Sequence, residues 1–328
     1  MKAVIYTRYG PPEVLSVQEV DKPSPKGDEV LIKVHASTTT ATDCIFRRGK
    51  PLISRGYTGL FRPKHRTPGD ELAGEIAAAG HKVTRFKEGD AIVATTGGVG
   101  ANAEYICLSP EKATVAIKPS NLSYEEAAGS CDGFLTALPF LRDTGQLKEG
   151  QRLVVIGASG SVGSAAVQLA RYLGAEVTGI CSAVNVDLVR SLGAHNVIDY
   201  TQEDFTQNGK TYDVIFDTVG RMSFSRCKKS LTKNGVLLEA SIRISVLPTV
   251  LWTGVFGSKK ARIAATGMRP PPERTTDLEF IRSLLESGDL VPVIDRTYVL
   301  DNIVEAHRYV DTGHKKGNVV ITMDHTAK

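Results

Sequence analysis

Three glycines follow an apolar run at a spacing that could hold a dinucleotide. Leu153–Ile156 has the composition of a buried strand, and Gly157, Gly160 and Gly163 come directly after it. This spacing predicts a strand, a tight turn and a helix N-terminus whose N–H groups bind a diphosphate. Ala158 stands where the G-x-G-x-x-G pattern has its first glycine, so the pattern is a variant.

The residues around this turn support a dinucleotide site. Apolar residues recur at helical spacing from Val162 to Leu173, and Glu176–Ile180 reads as the next strand of a β-α-β unit. Ser159, Ser161 and Val162 lie in the turn itself and are candidate ligands of the diphosphate. The alternative is a packing turn that binds nothing.

The end of the second strand indicates which cofactor is used. An NAD site usually has an acidic residue here for the ribose hydroxyls, but this strand runs into Cys181 and Ser182. We therefore expect NADPH, with neutral hydrogen bonds to the 2′-phosphate and a cation such as Arg190 or Arg221 assisting. The neutral candidates are Ser182, Asn185 and Tyr200.

Two further candidates follow later strands. Val219 comes after the strand that ends at Asp217, and Ser241 comes after the next one, which ends at Glu239. Ligands of open α/β sheets bind at the carboxyl ends of the strands, so both residues are expected to contact the cofactor. Asp217 itself is expected to be structural.

Composition limits the remaining possibilities. The 328 residues allow two domains, and the net charge of +4 comes from dispersed basic residues. This pattern predicts no nucleic-acid partner, and no stretch is apolar enough to predict a membrane partner. The five cysteines form no C-x-x-C pair, which favours a reducing compartment, and we expect a cytoplasmic protein.

The order of elements predicts an α/β chain. Residues 1–122 are rich in strand-like runs and predict an antiparallel, β-barrel-type domain. A capping box at Ser123 and Glu126 begins residues 123–266, where helices and strands alternate as in a doubly wound parallel sheet. Residues 267–328 are expected to return to the first domain. This segment starts with consecutive prolines, which end regular structure, and continues with a helix that is expected to begin at Thr276.

Several motifs together resemble one family. Thr40–Asp43 with Arg48-Gly49 stands where that family has N-P-x-D and R-x-G, and Pro68–Gly74 matches its P-G-x-E-x-x-G stretch. With Phe86–Asp90 and Leu192–Ala194, these motifs make the chain similar to the zinc-free quinone oxidoreductases, the zeta-crystallin-like branch of the medium-chain dehydrogenase/reductase superfamily.

The resemblance implies a fold and an activity. It implies a GroES-like catalytic domain, a Rossmann domain and NADPH-dependent reduction of quinones or α,β-unsaturated carbonyls. Thr40 and Asp43 are expected to line the nicotinamide pocket, and Thr136 to lie beside the nicotinamide or its phosphates. It also places the apolar segment Ile244–Phe256 near the sheet edge used for subunit pairing, which predicts a homodimer; a lid or a helix folded on its own subunit is the alternative.

Zinc-dependent relatives raise the question of a metal. Their ligand positions correspond here to Thr40, Asp70 and Asp132, which are poor catalytic zinc ligands, so we expect a metal-free enzyme. Two other functions stay open. One is a metal-dependent alcohol dehydrogenase that uses Asp70 and Asp132, and the other is a low-turnover protein that binds NADPH or RNA.

Proton delivery has two candidate side chains. Tyr57 lies in a loop at residues 53–66 that could cap a flat substrate, and its hydroxyl could protonate the developing oxyanion. A surface loop with a partly buried aromatic ring is the alternative. Asp43 is a candidate for the chemistry or, equally, for an ion pair with Arg48 that braces the pocket wall.

Overall fold

The computed structural model describes residues 1–241 and 244–325. The strands of these residues are, in chain order, β1 (Lys2–Ile5), β2 (Ser16–Glu19), β3 (Val30–Thr38), β4 (Glu71–Ala79), β5 (Ala91–Thr95), β6 (Tyr105–Leu108), β7 (Thr114–Ile117), β8 (Arg152–Ile156), β9 (Glu176–Cys181), β10 (Asn196–Asp199), β11 (Tyr212–Asp217), β12 (Leu231–Glu239), β13 (Lys260–Ile263), β14 (Ile294–Val299) and β15 (Asn318–Thr322).

The helices are mostly short. They are α1 (Ala41–Arg48), α2 (Arg55–Thr58), α3 (Tyr124–Ala128), α4 (Asp132–Pro139), α5 (Ser161–Tyr172), α6 (Val186–Ser191), α7 (Phe224–Cys227), α8 (Leu247–Val255), α9 (Pro271–Ser287) and α10 (Ile303–Asp311). A π-helical turn spans Phe140–Thr144, and 3₁₀ turns span Pro12–Val14, Leu52–Ser54, Ala183–Asn185, Lys228–Ser230, Ile244–Val246, Thr266–Met268 and Leu300–Asn302. No helix of the described residues is both long and apolar enough to cross a membrane.

The chain forms two compact units. Unit 1 comprises residues 1–132 and 270–328, and its main sheet has the order β14-β15-β3-β4-β5-β7, with β6 also paired to β3. All of these pairs are antiparallel except β14 with β15, and β1 pairs with β2 in a separate hairpin. An apolar core that includes Ile32, Leu72 and Ile76 packs on this sheet.

Unit 2 comprises residues 133–269 and holds a sheet in which every pair is parallel. Its order is β10-β9-β8-β11-β12-β13, so the chain winds outward in both directions from β8. This is the doubly wound arrangement, in which the carboxyl ends of all strands meet at one edge. The predicted α/β fold class, an antiparallel sheet domain with a Rossmann-type sheet, is confirmed.

Strand β4 is an element that the sequence analysis did not identify. Its sequence, E-L-A-G-E-I-A-A-A, has no regular alternation of polar and large apolar residues, and it is placed between β3 and β5 in the centre of the sheet. Gly74 allows that placement, because a Cβ there would lie 2.3 Å from the carbonyl oxygen of Lys33 on β3. Close approach of two backbones therefore replaces the alternating pattern that marks most strands.

The N-terminal ends of α3 and α9 can be compared with the ends expected from the sequence. The capping box at Ser123 is confirmed, since its hydroxyl accepts from the N–H of Glu126 while the Glu126 side chain accepts from the N–H of Ser123. The expected start of a helix at Thr276 is wrong, because α9 begins at Pro271. Proline fits the first helical turn, where its missing N–H would have no partner.

The compact units divide at other residues than the domains expected from sequence. The expected boundaries lie after residues 122 and 266, and the units divide after residues 132 and 269. Helix α3 lies in unit 1 because it packs on β3 and β4. The roles assigned to the three segments stay a prediction.

Two helical glycines provide a matched test of this packing. A Cβ on Gly163 in α5 would lie 2.0 Å from the carbonyl oxygen of Gly157, whereas a Cβ on Gly254 in α8 would meet open space. We expect Gly163→Ala to lower the free energy of unfolding by about 1–3 kcal/mol, and Gly254→Ala to leave it unchanged or raise it by up to about 1 kcal/mol. Thermal unfolding followed by circular dichroism measures both, and equal midpoints for the two variants would contradict the packing described.

Candidate active site

The glycine turn of unit 2 is built by backbone contacts. Gly157 follows β8 at a φ of 78° and, with Ala158, donates its N–H to the carbonyl oxygen of Ile180 on β9 at 3.0 Å. The N–H of Gly160 returns to the carbonyl oxygen of Gly157 at 3.0 Å, which closes the turn. Gly163 lies directly over Gly157, so helix α5 can start immediately above the end of β8.

The start of α5 leaves N–H groups available to a ligand. Gly160 is its N-cap and supplies no side chain, and the first backbone bond of the helix is donated by Ser164. The N–H groups of Ser161, Val162 and Gly163 have no acceptor within residues 1–241 and 244–325. Three orphan donors at a positive helix end are the arrangement that holds phosphate oxygens.

Three predicted ligands are brought together beside this turn. The Nδ2 group of Asn185 donates to Ser159 Oγ at 3.0 Å and to Ser182 Oγ at 3.3 Å. Asn185 is buried, and its Oδ1 atom has no hydrogen-bond partner in the described part of the chain. This cluster lies where β8 and β9 end, and it carries no charge.

The neighbouring strand adds a carboxylate that the sequence analysis missed. Asp199 on β10 lies in register with Cys181. Burial of the Cys181 thiol, and to a lesser extent the negative charge of Asp199, raise the pKa of that thiol to about 11. The Asp199 oxygens accept from the N–H and the hydroxyl of Thr201 at 3.0 and 2.9 Å. The predicted ligand Tyr200 follows directly and is exposed, with its N–H bonded to the carbonyl oxygen of Cys181.

The turn after β11 is organised by Asp217, as expected for a structural residue. Its buried carboxylate accepts the N–H groups of Val219, Gly220 and Met222 at 2.7–3.0 Å. Val219 is thereby held exposed at the carboxyl edge of the sheet, and Ser241 is half-buried just beyond the end of β12.

Thr136 lies on a helix that packs against the glycine turn. A Cβ on Gly133 of α4 would come within 2.7 Å of Ser161 Oγ, so this helix and the start of α5 are in close contact. Thr136 is half-buried on the next turn of α4. The structure therefore brings Thr136 to the same end of unit 2 as the glycine turn.

A cavity of about 350 Å³ opens near the carboxyl ends of β11 and β12. Arg221 and Arg226 line it, and Arg226 is paired with Asp204 at 2.9 Å. Arg190, the other cation named for the phosphate, pairs with Asp187 at 3.7 Å. Of the two cations predicted to assist the phosphate, Arg221 therefore lies at this cavity, whereas Arg190 lies on α6, the helix that follows Asn185.

In unit 1, Thr40 and Asp43 form the N-terminal cap of α1. The Oδ2 atom of Asp43 accepts from the N–H of Thr40 at 2.7 Å and from its hydroxyl at 2.8 Å. The N–H of Asp43 donates back to Thr40 Oγ1 at 3.1 Å, and the N–H of Gly69 donates to Asp43 Oδ1 at 3.2 Å. The sequence T-A-T-D thus folds as a capping box with a buried carboxyl group.

Burial changes the acidity of Asp43. Loss of water raises its pKa to about 7, the hydrogen bonds from Thr40 oppose this rise, and the nearby carboxylates of Asp70 and Asp132 add to it. The expected ion pair with Arg48 is wrong, because Arg48 pairs with Asp311 at 3.3 Å. Backbone donors and a hydroxyl hold Asp43 instead of a cation.

Other carboxyl groups surround this pair, and one of them was not predicted. Glu71 is fully buried, accepts from the Thr38 hydroxyl and the N–H of Asp132, and has a pKa well above its usual range because of burial and the Asp132 charge. Its signal was present in the P-G-x-E stretch. Burial lowers the pKa of Lys315, and the charges of Glu71 and Asp132 oppose this change. No sequence signal pointed to Lys315, because it lies far from these carboxyl groups in the sequence.

Two of the three positions that correspond to zinc ligands in relatives, Thr40 and Asp70, already bind protein groups. Asp70 Oδ1 accepts the N–H groups of Thr96 and Gly98 at 2.9 and 2.8 Å, and the Thr40 hydroxyl is paired with Asp43. Within residues 1–241 and 244–325 no three histidine, cysteine or acidic side chains are grouped as metal ligands. The donors present here do not fit a catalytic zinc ion, which prefers nitrogen and sulfur.

Tyr57 lies on α2 with its ring exposed and its hydroxyl occupied. The hydroxyl donates to the carbonyl oxygen of Gly97 at 2.7 Å, and burial raises its pKa. Tyr57 can act as a proton donor only after this bond breaks.

Comparison with known proteins agrees with these observations. Residues 26–119 match the alcohol dehydrogenase GroES-like domain, and residues 192–321 match the zinc-binding dehydrogenase domain. A chloroplastic quinone-oxidoreductase homologue of Spinacia oleracea is 31% identical over 98% of both chains. A chloroplastic NADPH-dependent alkenal/one oxidoreductase of Arabidopsis thaliana is 30% identical over 98% of this chain and 79% of that relative.

Solved structures show the same relationship. The quinone oxidoreductase of Coxiella burnetii superposes with a TM-score of 0.88 at 26% identity, covering 99% of each chain. The Escherichia coli quinone oxidoreductase complexed with NADPH gives a TM-score of 0.82 at 25% identity, covering 98% of this chain and 100% of that one. The chain therefore belongs to the quinone oxidoreductases, the zeta-crystallin-like branch of the medium-chain dehydrogenase/reductase superfamily, and this prediction is confirmed.

Proposed function

We propose that this chain is an NADPH-dependent oxidoreductase that reduces quinones or α,β-unsaturated carbonyls without a metal. The observation that carries the proposal is the buried pair of Thr40 and Asp43, a hydroxyl bonded to a carboxyl group whose pKa is raised to about 7. Relatives are named quinone oxidoreductase and NADPH-dependent alkenal/one oxidoreductase, which supports this substrate class.

Unit 2 supplies the cofactor site of this proposal. NADPH, when bound, supplies the hydride for the reaction. The free N–H groups of Ser161, Val162 and Gly163 hold its diphosphate, and Thr136, Val219 and Ser241 contact the nicotinamide half. The uncharged cluster of Ser159, Ser182 and Asn185 holds the ribose that carries the 2′-phosphate, with Tyr200 beside it. The serine hydroxyls accept from Asn185 Nδ2, which leaves their own protons to donate to the phosphate. The buried Asn185 Oδ1 has no partner in the described residues and is an acceptor, which supports a ligand hydroxyl such as that of the ribose there. The related Escherichia coli quinone oxidoreductase is complexed with NADPH, which supports the choice of cofactor.

Unit 1 supplies the proton in this proposal. When a hydride adds to a conjugated acceptor, negative charge appears on the acceptor oxygen and requires a hydrogen-bond donor. With Asp43 ionised, the Thr40 hydroxyl donates to the carboxylate. With Asp43 protonated, the acid donates to Thr40 Oγ1, and the Thr40 proton is free to point at the acceptor. Protonation of Asp43 thus turns Thr40 into the donor, and Tyr57 is a second donor once released from Gly97.

The finer features of the proposal rest on particular side chains. A metal-free reaction is supported because Thr40 and Asp70 already bind protein groups, and a delocalised enolate or quinol oxygen needs only hydrogen bonds.

A homodimer is supported by α8, where Leu251, Trp252 and Val255 are each more than 60% exposed on an apolar helix. A cytoplasmic location and the absence of a nucleic-acid partner stay predictions.

Removing the Thr40 hydroxyl tests the proton step. We expect Thr40→Val to lower kcat with a quinone or enone by about 10²–10³-fold, the usual cost of losing an oxyanion donor, with the Kd of NADPH unchanged. Thr40→Ser keeps the hydroxyl and is the matched control, which should retain most of the activity. Steady-state kinetics and fluorescence titration of NADPH measure these quantities.

The pH profile distinguishes this role from a structural one. Because the folded pKa of Asp43 is raised, the protonated form and its activity are present at low pH and are lost as pH rises through about 7. Asp43→Asn should remove that inflection. A Thr40→Val enzyme with full turnover, or an enzyme that prefers saturated ketones and stops when metal is stripped, would contradict the proposal.

Gly160 tests the cofactor site. A Cβ at this position would lie 3.4 Å from the nearest protein atom, an ordinary contact, and the extended backbone of Gly160, at a φ of −79°, is one that any residue adopts. We expect Gly160→Val to weaken NADPH binding at least about tenfold with normal folding, since the side chain would occupy the approach of the diphosphate. Ser182→Asp should weaken NADPH selectively relative to NADH. Tighter binding of NADH than NADPH by the unmodified protein would refute the cofactor assignment.

The apolar face of α8 tests the dimer. We expect light scattering to give twice the chain mass, and Leu251→Ser with Val255→Ser to give the monomer mass because exposed apolar area drives the pairing. Leu60→Ser, which removes an equally exposed leucine from unit 1, is the control and should leave the mass unchanged. A monomer at micromolar concentration for the unmodified chain would remove the dimer.

A further inference from the structure

A short segment of unit 1, residues 50–66, exposes large apolar side chains. Its exposed members are Leu52, Ile53, Tyr57, Leu60 and Phe61. Phe61 is 89% exposed and Leu60 is 66% exposed, although both side chains favour burial. Contiguous exposed apolar side chains of this kind mark a surface that contacts something other than water.

The shape of the segment is fixed by its own contacts. The N–H of Lys64 donates to the carbonyl oxygen of Thr58 at 2.6 Å, which closes a loop with Leu60 and Phe61 at its tip. Gly59 turns the chain at a φ of 121°, and a Cβ there would lie 2.3 Å from the carbonyl oxygen of Arg62. Tyr9 anchors the base of the loop through Thr58 Oγ1 at 2.8 Å. These contacts define the conformation of the loop, in which the side chains of Leu60 and Phe61 are exposed to solvent.

The charged side chains within this segment all have one sign. No aspartate or glutamate occurs between Asp43 and Asp70 in the sequence. The exposed cations of the segment are Lys50, Arg62, Lys64 and Arg66, and none of them has an ion-pair partner among the described residues. Arg8 adds a further exposed cation, because the N–H of Tyr6 donates to the carbonyl oxygen of Arg66 and brings the end of β1 alongside.

We propose that residues 50–66 dock unit 1 onto an anionic lipid bilayer surface, with Leu60 and Phe61 entering the interface and the surrounding cations facing lipid headgroups. Protein segments that bind the membrane interface combine apolar side chains, which enter the lipid, with lysine and arginine side chains, which contact the anionic headgroups. A nucleic acid would pair with the cations but offers no extended apolar phase for the tip, and an acidic polymer would bind with the same dependence on the cations and none on Leu60 and Phe61. This proposal departs from the expectation of no membrane partner, which rested on the lack of an apolar stretch able to span a bilayer; docking at a surface requires no such stretch.

Vesicle binding by the full chain tests this proposal. The probes are vesicles of phosphatidylcholine alone and vesicles in which phosphatidylglycerol replaces a third of it, followed by co-sedimentation. We expect binding only to the anionic vesicles, weakening with salt. Arg62→Glu with Lys64→Glu should reduce the partition coefficient by at least about tenfold, since each basic side chain at an anionic surface contributes about fivefold. Leu60→Ser with Phe61→Ser should reduce it as well.

Matched controls show whether this segment is responsible. Lys210→Glu with Lys233→Glu makes the same change in net charge on exposed residues of unit 2 and should leave binding unchanged. Circular dichroism confirms that every variant folds. A second readout uses Phe61→Trp in a Trp252→Phe background, whose emission should shift to the blue and be quenched by brominated lipid.

Each other outcome would overturn the proposal. No binding to anionic vesicles at low salt refutes it directly, and equal loss in the unit 2 control assigns binding to net charge alone. Binding to heparin or polyglutamate, but not to vesicles, with the same dependence on Arg62 and Lys64 would assign the surface to a polyanion. Loss of dimer mass in Leu60→Ser with Phe61→Ser would assign it to a second copy. Docking requires no catalysis, so these results are independent of the reductase activity.

Discussion

The burial of Asp43 is the constraint on which the site of unit 1 depends. Its carboxyl group is held by the N–H groups of Thr40 and Gly69 and by a hydroxyl, and no cation pairs with it in the described residues. A buried carboxyl without a cation resists ionisation, so its pKa rises into the neutral range. The same bonds that cap helix α1 therefore set both the position of the Thr40 hydroxyl and the pH range in which it is free to donate.

Close backbone contact plays the equivalent part in unit 2. Gly163 lies against Gly157 and Gly133 lies against Ser161, so helices α4 and α5 both begin next to the end of strand β8. The first N–H groups of α5 have no acceptors in the described residues because the N-cap, Gly160, has no side chain, and the uncharged cluster around Asn185 lies beside the same turn. One unit thus offers positive backbone ends to an anionic cofactor, while the other holds carboxyl groups that stay protonated longer than usual.

The sequence was most informative where function depends on a local pattern. The strand-glycine-helix motif and the capping box at Ser123 are read within a few residues, and the structure places both where they were expected. The absence of an acid directly after Cys181 is also local, whereas Asp199, which the fold brings beside Cys181, was not foreseen. Strand β4 was missed because its sequence has no regular alternation; most of it is buried between β3 and β5, and the close approach of Gly74 to β3 depends on a contact far apart in the sequence. Arg48 was wrongly expected to pair with Asp43, and Lys315 was missed. Contacts between residues far apart in the sequence determine which groups lie near each of these side chains, and a single sequence does not show those contacts.

Direct titration of Asp43 tests this account most sharply. Carbon-13 NMR of a chain labelled at the aspartate carboxyl groups, with the Asp43 signal assigned by its loss in Asp43→Asn, gives the midpoint of its ionisation. We predict a midpoint of about 7, so that the Thr40 hydroxyl is released in part of the molecules at neutral pH. A midpoint at or below the ordinary value of 3.8 would show a carboxylate that holds the Thr40 proton permanently, and would contradict it.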